Sequence, residues 1–295
     1  MPLPRSERKR QGARFGDYEL IAPLATGGMG GVYLASHVTT GERVALKVLD
    51  PVFANHPEVV TRLYSERTIS VRATHPGLVQ IREAGRTADG APYLVMEYLE
   101  GRTLATIGKQ SELDVLTVIG LAAQIAGALA ALHEVGVIHC DVKPENLFVL
   151  SDRMWGMLPQ IKVIDFGVSR GVDEPRPDEV LICGTPAYMA PEQWKGAPQT
   201  ASDVYALGCV LYELVTGQPP FDGSLPELML AHLEQRPARP TWLRSGVPVE
   251  LERVILRALA KDAALRPTMR QVADELGDLA DAMTLSTTMP MAIAV

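Results

Sequence analysis

Asp141, Lys143 and Asn146 fall within six positions of the stretch His139-Cys140-Asp141-Val142-Lys143-Pro144-Glu145-Asn146. They offer a carboxylate base, a cation and an amide oxygen able to face a metal ion. Further on, Ile161-Lys162-Val163-Ile164 delivers Asp165-Phe166-Gly167 at the end of a strand-like run, where a carboxylate can hold a hard cation such as Mg²⁺. Lys47 stands in Val44-Ala45-Leu46-Lys47-Val48, whose alternation puts the three large aliphatics on one face and Ala45 with Lys47 on the other. A small residue beside the amine leaves room for a flat ligand. Glu66 lies between Leu63 and Ile69 on the inner face of a helix, where an unpaired carboxylate is costly, and Lys47 is its natural partner. Finally, Leu24-Ala25-Thr26-Gly27-Gly28-Met29-Gly30-Gly31-Val32 joins two strand-like runs through glycines that let backbone N–H groups approach phosphate oxygens. Taken singly, each stretch reads equally as a polar turn or a solvated charge. The glycine run is not a dinucleotide fingerprint, which a helix follows, nor a Walker loop, which ends in Lys-Ser or Lys-Thr.

The elements that must position these residues change character along the chain. Residues 18–24, 31–36, 43–49, 78–84 and 93–96 are short aliphatic or β-branched runs punctuated by Gly, Thr-Gly and Asp-Gly turns. A single helix interrupts them, starting at His56-Pro57 and stopping at His75-Pro76-Gly77. From about residue 101 the pattern turns helical, with helices expected near 115–132, 204–214, 225–232 and 251–259, which predicts an α+β chain with a small β-rich lobe before a larger helical one. The length of 295 residues and a hydrophobic content of 47% suffice for more than one core. A net charge of -7 disfavours nucleic acid and anionic lipid as partners. Three scattered cysteines, Cys140, Cys183 and Cys209, read as reduced thiols of a cytoplasmic protein. The basic start, residues 1–11, has no apolar stretch and is not a secretory signal. Residues 115–132 carry no charge over a length at the lower edge of a membrane span, but they are Ala-rich and interrupted by Thr117 and Gln124, so a buried helix is expected rather than a span.

In their order and spacing these stretches resemble the eukaryotic-like Ser/Thr protein kinases of bacteria, whose signature set is a Gly-rich loop, a Val-Ala-Ile-Lys strand, a His-Arg-Asp loop ending in Asn, Asp-Phe-Gly and Ala-Pro-Glu. Residues 24–32, 44–47, 139–146, 165–167 and 190–192 match in sequence, and the likeness covers about residues 18–279. It implies a bilobal kinase fold with an N-lobe of about 17–97 and a C-lobe of about 98–280, between a basic tail, 1–16, and a Ser/Thr-containing tail, 281–295. It also implies transfer of the γ-phosphoryl group of MgATP to Ser/Thr hydroxyls of protein substrates. By position, Lys47 would hold the α and β phosphates and be fixed by Glu66. Gly27 and Gly30 would fold the loop over the nucleotide, Asp165 and Asn146 would bind Mg²⁺, Asp141 would accept the hydroxyl proton, and Lys143 would steady the transferred group. Met96 would guard the back of the adenine pocket, with Glu97 and Leu99 offering backbone hydrogen bonds to the base. Gly184-Thr185-Pro186-Ala187-Tyr188 resembles a peptide-docking loop, and Glu192 and Arg266 resemble the family's buried ion pair.

Ser/Thr-specific members of the family keep a Lys two residues after the catalytic Asp, so the resemblance carried by Lys143, with Thr185, implies Ser or Thr acceptors. Two departures stand out: Ala25 replaces the first Gly of the loop, and Cys140 replaces the Arg that in the family grips a phosphorylated activation segment. Residues 171–182 contain no Ser, Thr or Tyr, so activity without activation-segment phosphorylation is expected, with Leu181 packing near the Cys140 thiol. The hydroxyls of Thr284, Ser286, Thr287 and Thr288 are expected beyond the last core helix, where they read equally as candidate autophosphorylation sites or as part of an inert tail. The rival class is a catalytically dead kinase fold serving as a scaffold. It usually lacks the Lys, the base or the metal Asp, and none is missing here.

Overall fold

The computed structural model describes residues 12–27, 29–87, 90–110, 113–155, 158–167, 169–172 and 184–288. They form two compact units. The first holds residues up to Thr74, Leu78–Glu100 and Asp165–Gly167, and the second holds the remainder. The division is not the consecutive 17–97 and 98–280, because 75–77 group with the second unit, where the Gly77 carbonyl accepts the Val163 N–H, and 165–167 group with the first.

The first unit is an antiparallel sheet of β1 (Arg14–Phe15), β2 (Tyr18–Gly27), β3 (Gly30–His37), β4 (Arg43–Leu49), β5 (Ile81–Arg86) and β6 (Pro92–Glu97), in the order β1-β2-β3-β4-β6-β5, with helix α1 (Pro57–Arg72) against β5 and β6. Val44, Leu46 and Val48 bury on one face with Leu20, Tyr33 and Tyr93, as the alternation predicts. The stretch expected as a tail to residue 16 instead contributes β1, because Phe15 gains an edge-on packing partner in Tyr93, ring centroids 5.6 Å apart. Helix α1 opens with Pro57, whose missing N–H is no loss there, and Glu58, which suits the positive end of the dipole. It buries Val60, Leu63, Glu66 and Ile69 along one stripe.

The second unit contains β7 (Gly101–Thr103), α2 (Leu104–Gly108), α3 (Val115–Glu134), β8 (Val137–Ile138), β9 (Leu147–Trp155), β10 (Leu158–Val163), β11 (Arg170–Gly171), α4 (Thr200–Thr216), α5 (Leu225–Glu234), α6 (Pro240–Leu243), α7 (Val249–Ala258) and α8 (Met269–Thr288). Strands β10-β9-β7 make one small sheet and β11-β8 another. Asp114 caps α3 by accepting the Thr117 N–H at 2.9 Å. This helix is long and apolar enough to cross a bilayer, yet 67% of its most apolar window is buried in the unit, where it packs along α8. Helix α8 also corrects the expected tail: it runs through Thr288, and the Thr284 hydroxyl donates back to the Ala280 carbonyl at 2.8 Å. The row Val272, Leu276, Leu279 and Met283 keeps helical spacing, so this face continues past the point where Thr and Ser suggest a stop.

His232 of α5 is wholly enclosed, its Nδ1 3.0 Å from the Tyr205 hydroxyl and its ring edge-on to Phe221 and Tyr205. Burial, with the Lys261 charge adding, pushes its imidazole from 6.5 down to about 4. The unfolded chain therefore binds the extra proton, and stability fully present above pH 6.5 is lost as the pH falls toward 4. Urea midpoints are expected to fall across that window, and to fall less steeply in His232→Gln. Equal slopes would exclude His232 as a source.

Candidate active site

In the first unit, Lys47 of β4 pairs across the sheet with Val32 on one side and Leu94 on the other, and Ala45 pairs with Met96. The Lys47 Nζ lies 2.7 Å from Glu66 Oε1 and 2.8 Å from Asp165 Oδ1, so the strand, helix α1 and the Asp-Phe-Gly stretch meet at a single ammonium. Burial alone would pull Lys47 down, but the Glu66 and Asp165 charges outweigh it and hold the amine well above its usual range. Burial pushes the Glu66 carboxyl up, to about 7, against the pull of Lys47; the 2.7 Å contact is that of an ammonium on a carboxylate. Asp165 adopts φ +66 and accepts the Gly167 N–H at 3.1 Å. A Cβ at Gly167 would lie 3.0 Å from Asp165 Oδ1 and 3.2 Å from Glu66 Oε1, so glycine there keeps the ionic cluster uncrowded.

The glycine run forms the β2–β3 hairpin, with Gly27 opposite Gly30, Thr26 opposite Gly31 and Ala25 opposite Val32, while Gly28 lies outside the described residues. Leu24 and Met29 are exposed. A Cβ at Gly30 would fall 2.1 Å from the Val48 carbonyl, a backbone clash that only glycine avoids. Gly27 has no such neighbour. Ala25 sits within a strand that a methyl group tolerates. Met96 and Glu97 end β6, and Leu99 follows in the same unit.

In the second unit, Asp141 sits between β8 and a 3₁₀ turn, Pro144–Asn146. Its Oδ1 accepts the Thr185 hydroxyl at 2.8 Å, and its Oδ2 meets the Lys143 ammonium at 2.7 Å and accepts from Asn146 Nδ2 at 3.2 Å. Lys143 also donates to Thr185 Oγ1 at 2.8 Å, and Asn146 Nδ2 to the Asp141 carbonyl at 2.9 Å. Thus Asp141, Lys143, Asn146 and Thr185, spread over 44 positions, form one hydrogen-bonded set. Both Asn146 bonds use the amide nitrogen, which leaves its oxygen as the atom suited to a cation. Among the described residues no three His, Cys, Asp or Glu side chains gather as a metal cage. Asp165 in the first unit and Asn146 in the second each carry a hard oxygen of the kind Mg²⁺ accepts, so each donor's chemistry suits that ion.

Two further anchors hold this set. Buried Asp203 of α4 accepts the His139 and Cys140 N–H groups at 2.8 and 2.9 Å and pairs with His133 Nε2 at 2.8 Å. Burial would raise its carboxyl, but the His133 contact prevails and holds it below the usual range. Glu192 and Arg266 form a bidentate pair at 2.7 and 2.9 Å. No local pattern singles out His133 or Gln193, polar residues at the end of an Ala-rich helix and just after Ala-Pro-Glu. Cys140 is buried. Leu181, Cys183 and the acidic stretch before them lie outside the described residues.

A sequence model described as "Protein kinase domain" matches residues 18–276. Among curated proteins, the chain is 39% identical over 265 residues to serine/threonine-protein kinase Pkn1 of Myxococcus xanthus, covering 88% of this chain and 38% of that protein. It is 37% identical over 256 residues to PknE of Mycobacterium tuberculosis, covering 86% and 44%. The chain therefore spans well under half the length of these relatives. Among solved structures, the kinase domain of Mycobacterium tuberculosis PknI superposes with a TM-score of 0.69 at 29% identity, covering 91% of this chain and 98% of that one. With the lysine–glutamate pair, the Asp141 set and the Glu192–Arg266 pair all found at the matched positions, the chain belongs to the protein kinase family, as a eukaryotic-like serine/threonine kinase domain of the bacterial kind.

Proposed function

We propose that this chain transfers the γ-phosphoryl group of MgATP to Ser or Thr hydroxyls of protein substrates, without prior phosphorylation of its activation segment, in a cytoplasmic setting. The observation that carries the reading is the Asp141 carboxylate, which already accepts a hydroxyl at 2.8 Å while an ammonium sits 2.7 Å from its other oxygen. Bound MgATP supplies the phosphoryl group and the metal charge that offsets the phosphate oxygens. Lys47, held by Glu66, presents a fixed positive charge to the phosphates. The hairpin of residues 24–27 and 29–32 would close over them, Gly30 permitting its close approach to the neighbouring strand. Asp165 and Asn146 would offer the metal its oxygen donors. Ala45, Met96, Glu97 and Leu99 frame the base. Asp141 orients the acceptor hydroxyl and takes its proton, and Lys143 stabilises charge on the group in transfer.

Independence from phosphorylation rests on Cys140. Where the family places an Arg to grip a phosphate, this chain has a buried cysteine, and residues 171–182 offer no hydroxyl to phosphorylate. Purified protein incubated with labelled ATP and Mg²⁺ is expected to label Ser/Thr peptides, and Asp165→Asn is not. Phosphatase treatment should leave the initial rate unchanged, and Cys140→Arg should not raise it. A tenfold fall after phosphatase, restored by preincubation with ATP, would refute the phosphorylation-independent part. Absence of transfer would favour the scaffold instead.

A further inference from the structure

We propose that Gln193 is a positioning residue that locks the loop carrying Asp141 to the segment in which acceptor peptides dock, an inference that rests on the phosphotransferase reading above. Cys140 adopts φ +67, a left-handed conformation that a residue with a side chain keeps only where its surroundings over-determine it. Both of its peptide groups are pinned. Asp203 holds its N–H at 2.9 Å, and Gln193 Nε2 donates to its carbonyl at 2.8 Å. That carbonyl belongs to the peptide bond entering Asp141, so its plane sets the direction in which the Asp141 side chain leaves the backbone.

The same amide reaches the other side. Gln193 Oε1 accepts the Ala190 N–H at 3.0 Å, which fixes the amide's orientation and ties it to the Ala-Pro-Glu turn. Gly184, with φ +119, closes on this junction: a Cβ there would lie 2.9 Å from the Cys140 carbonyl and 3.2 Å from Gln193 Nε2. The next residue is Thr185, whose hydroxyl donates to Asp141. Gln193 is 3% exposed, so water does not substitute for it. The junction demands one donor and one acceptor on a single planar group. A carboxylate has no donor, and an apolar side chain has neither.

The full chain is assayed on a Ser/Thr peptide mixture with MgATP from pH 6 to 9, as wild type, Gln193→Met and Gln193→Glu. Methionine keeps the length and removes both bonds; kcat is expected to fall by about tenfold or more at every pH, with the KM for ATP unchanged. Glutamate discriminates positioning from mere structure. Protonated, it offers one O–H donor and one acceptor and replaces the amide; ionised, it points charge at the Cys140 carbonyl. Burial at this site raises the new carboxyl above the ordinary range, so its rate relative to wild type should be highest at pH 6 and decline as the pH rises, while the methionine ratio stays flat. Should Gln193→Met not fold, the Gln193→Glu ratio decides alone. A wild-type kcat in Gln193→Met, or a Gln193→Glu ratio that does not change with pH, overturns the role of Gln193. A wild type that transfers no phosphate overturns the phosphotransferase reading itself.

Discussion

Asp141→Ala is expected to lower kcat by about 10² to 10⁴, the range for removal of a positioned base, with little change in the KM for ATP. The split follows from what the side chain touches. Among the described residues its carboxylate meets Thr185, Lys143 and Asn146, while Lys47, Glu66 and Asp165, which carry the nucleotide roles, make their own contacts in the first unit. Alanine removes the proton acceptor and leaves Lys143 bonded to the Thr185 hydroxyl, so the cation remains while the base is gone. Asp141→Asn separates chemistry from shape, since an amide fills the same space and still accepts from Thr185 but takes up no proton. Its loss should be of the same order. Steady-state kinetics on a Ser/Thr peptide, with ATP and peptide varied independently, check both variants. A near wild-type kcat in either removes Asp141 from the role of base.

How much of this site the sequence carried depends on the range of each interaction. The alternation in residues 44–48 and the helical stripe Leu63, Glu66 and Ile69 are local patterns, and together they anticipated the Lys47–Glu66 pair correctly. Pro57 marked the start of α1 because its effect is confined to its own turn. The two-residue strands β8 and β11 escaped notice because they are too short to show a period. The end of α8 was misplaced because Thr and Ser argue locally for a stop, whereas the apolar row through Met283 continues the helix. Nothing in the sequence marks Cys140 for a positive φ, since the usual sign is glycine. The bonds of Gln193 to Cys140 and of Thr185 to Asp141 span 53 and 44 positions, and such partners become visible only once the loops are folded.

Arg266→Met is expected to cost about 3 to 5 kcal/mol of stability, the usual range for breaking a buried ion pair from one side. The Arg266 side chain is 0% exposed and all five of its N–H donors are used: Nη1 on Glu192 and the Ala201 carbonyl, Nη2 on Glu192 and the Lys261 carbonyl, and Nε on the Ala260 carbonyl. Methionine fills much of the space, so the loss is chiefly electrostatic. It leaves the 12%-exposed Glu192 carboxylate with the Ser202 hydroxyl at 2.5 Å but no cation, and it strips three carbonyls of a donor. Glu192→Gln in the same background lifts the uncompensated charge, so the double variant should recover part of the loss and the two substitutions should not add. Urea unfolding of the four proteins closes this cycle. A cost under about 1 kcal/mol for Arg266→Met, a value typical of exposed pairs, would show that the pair is not anchoring the segment that Gln193 follows.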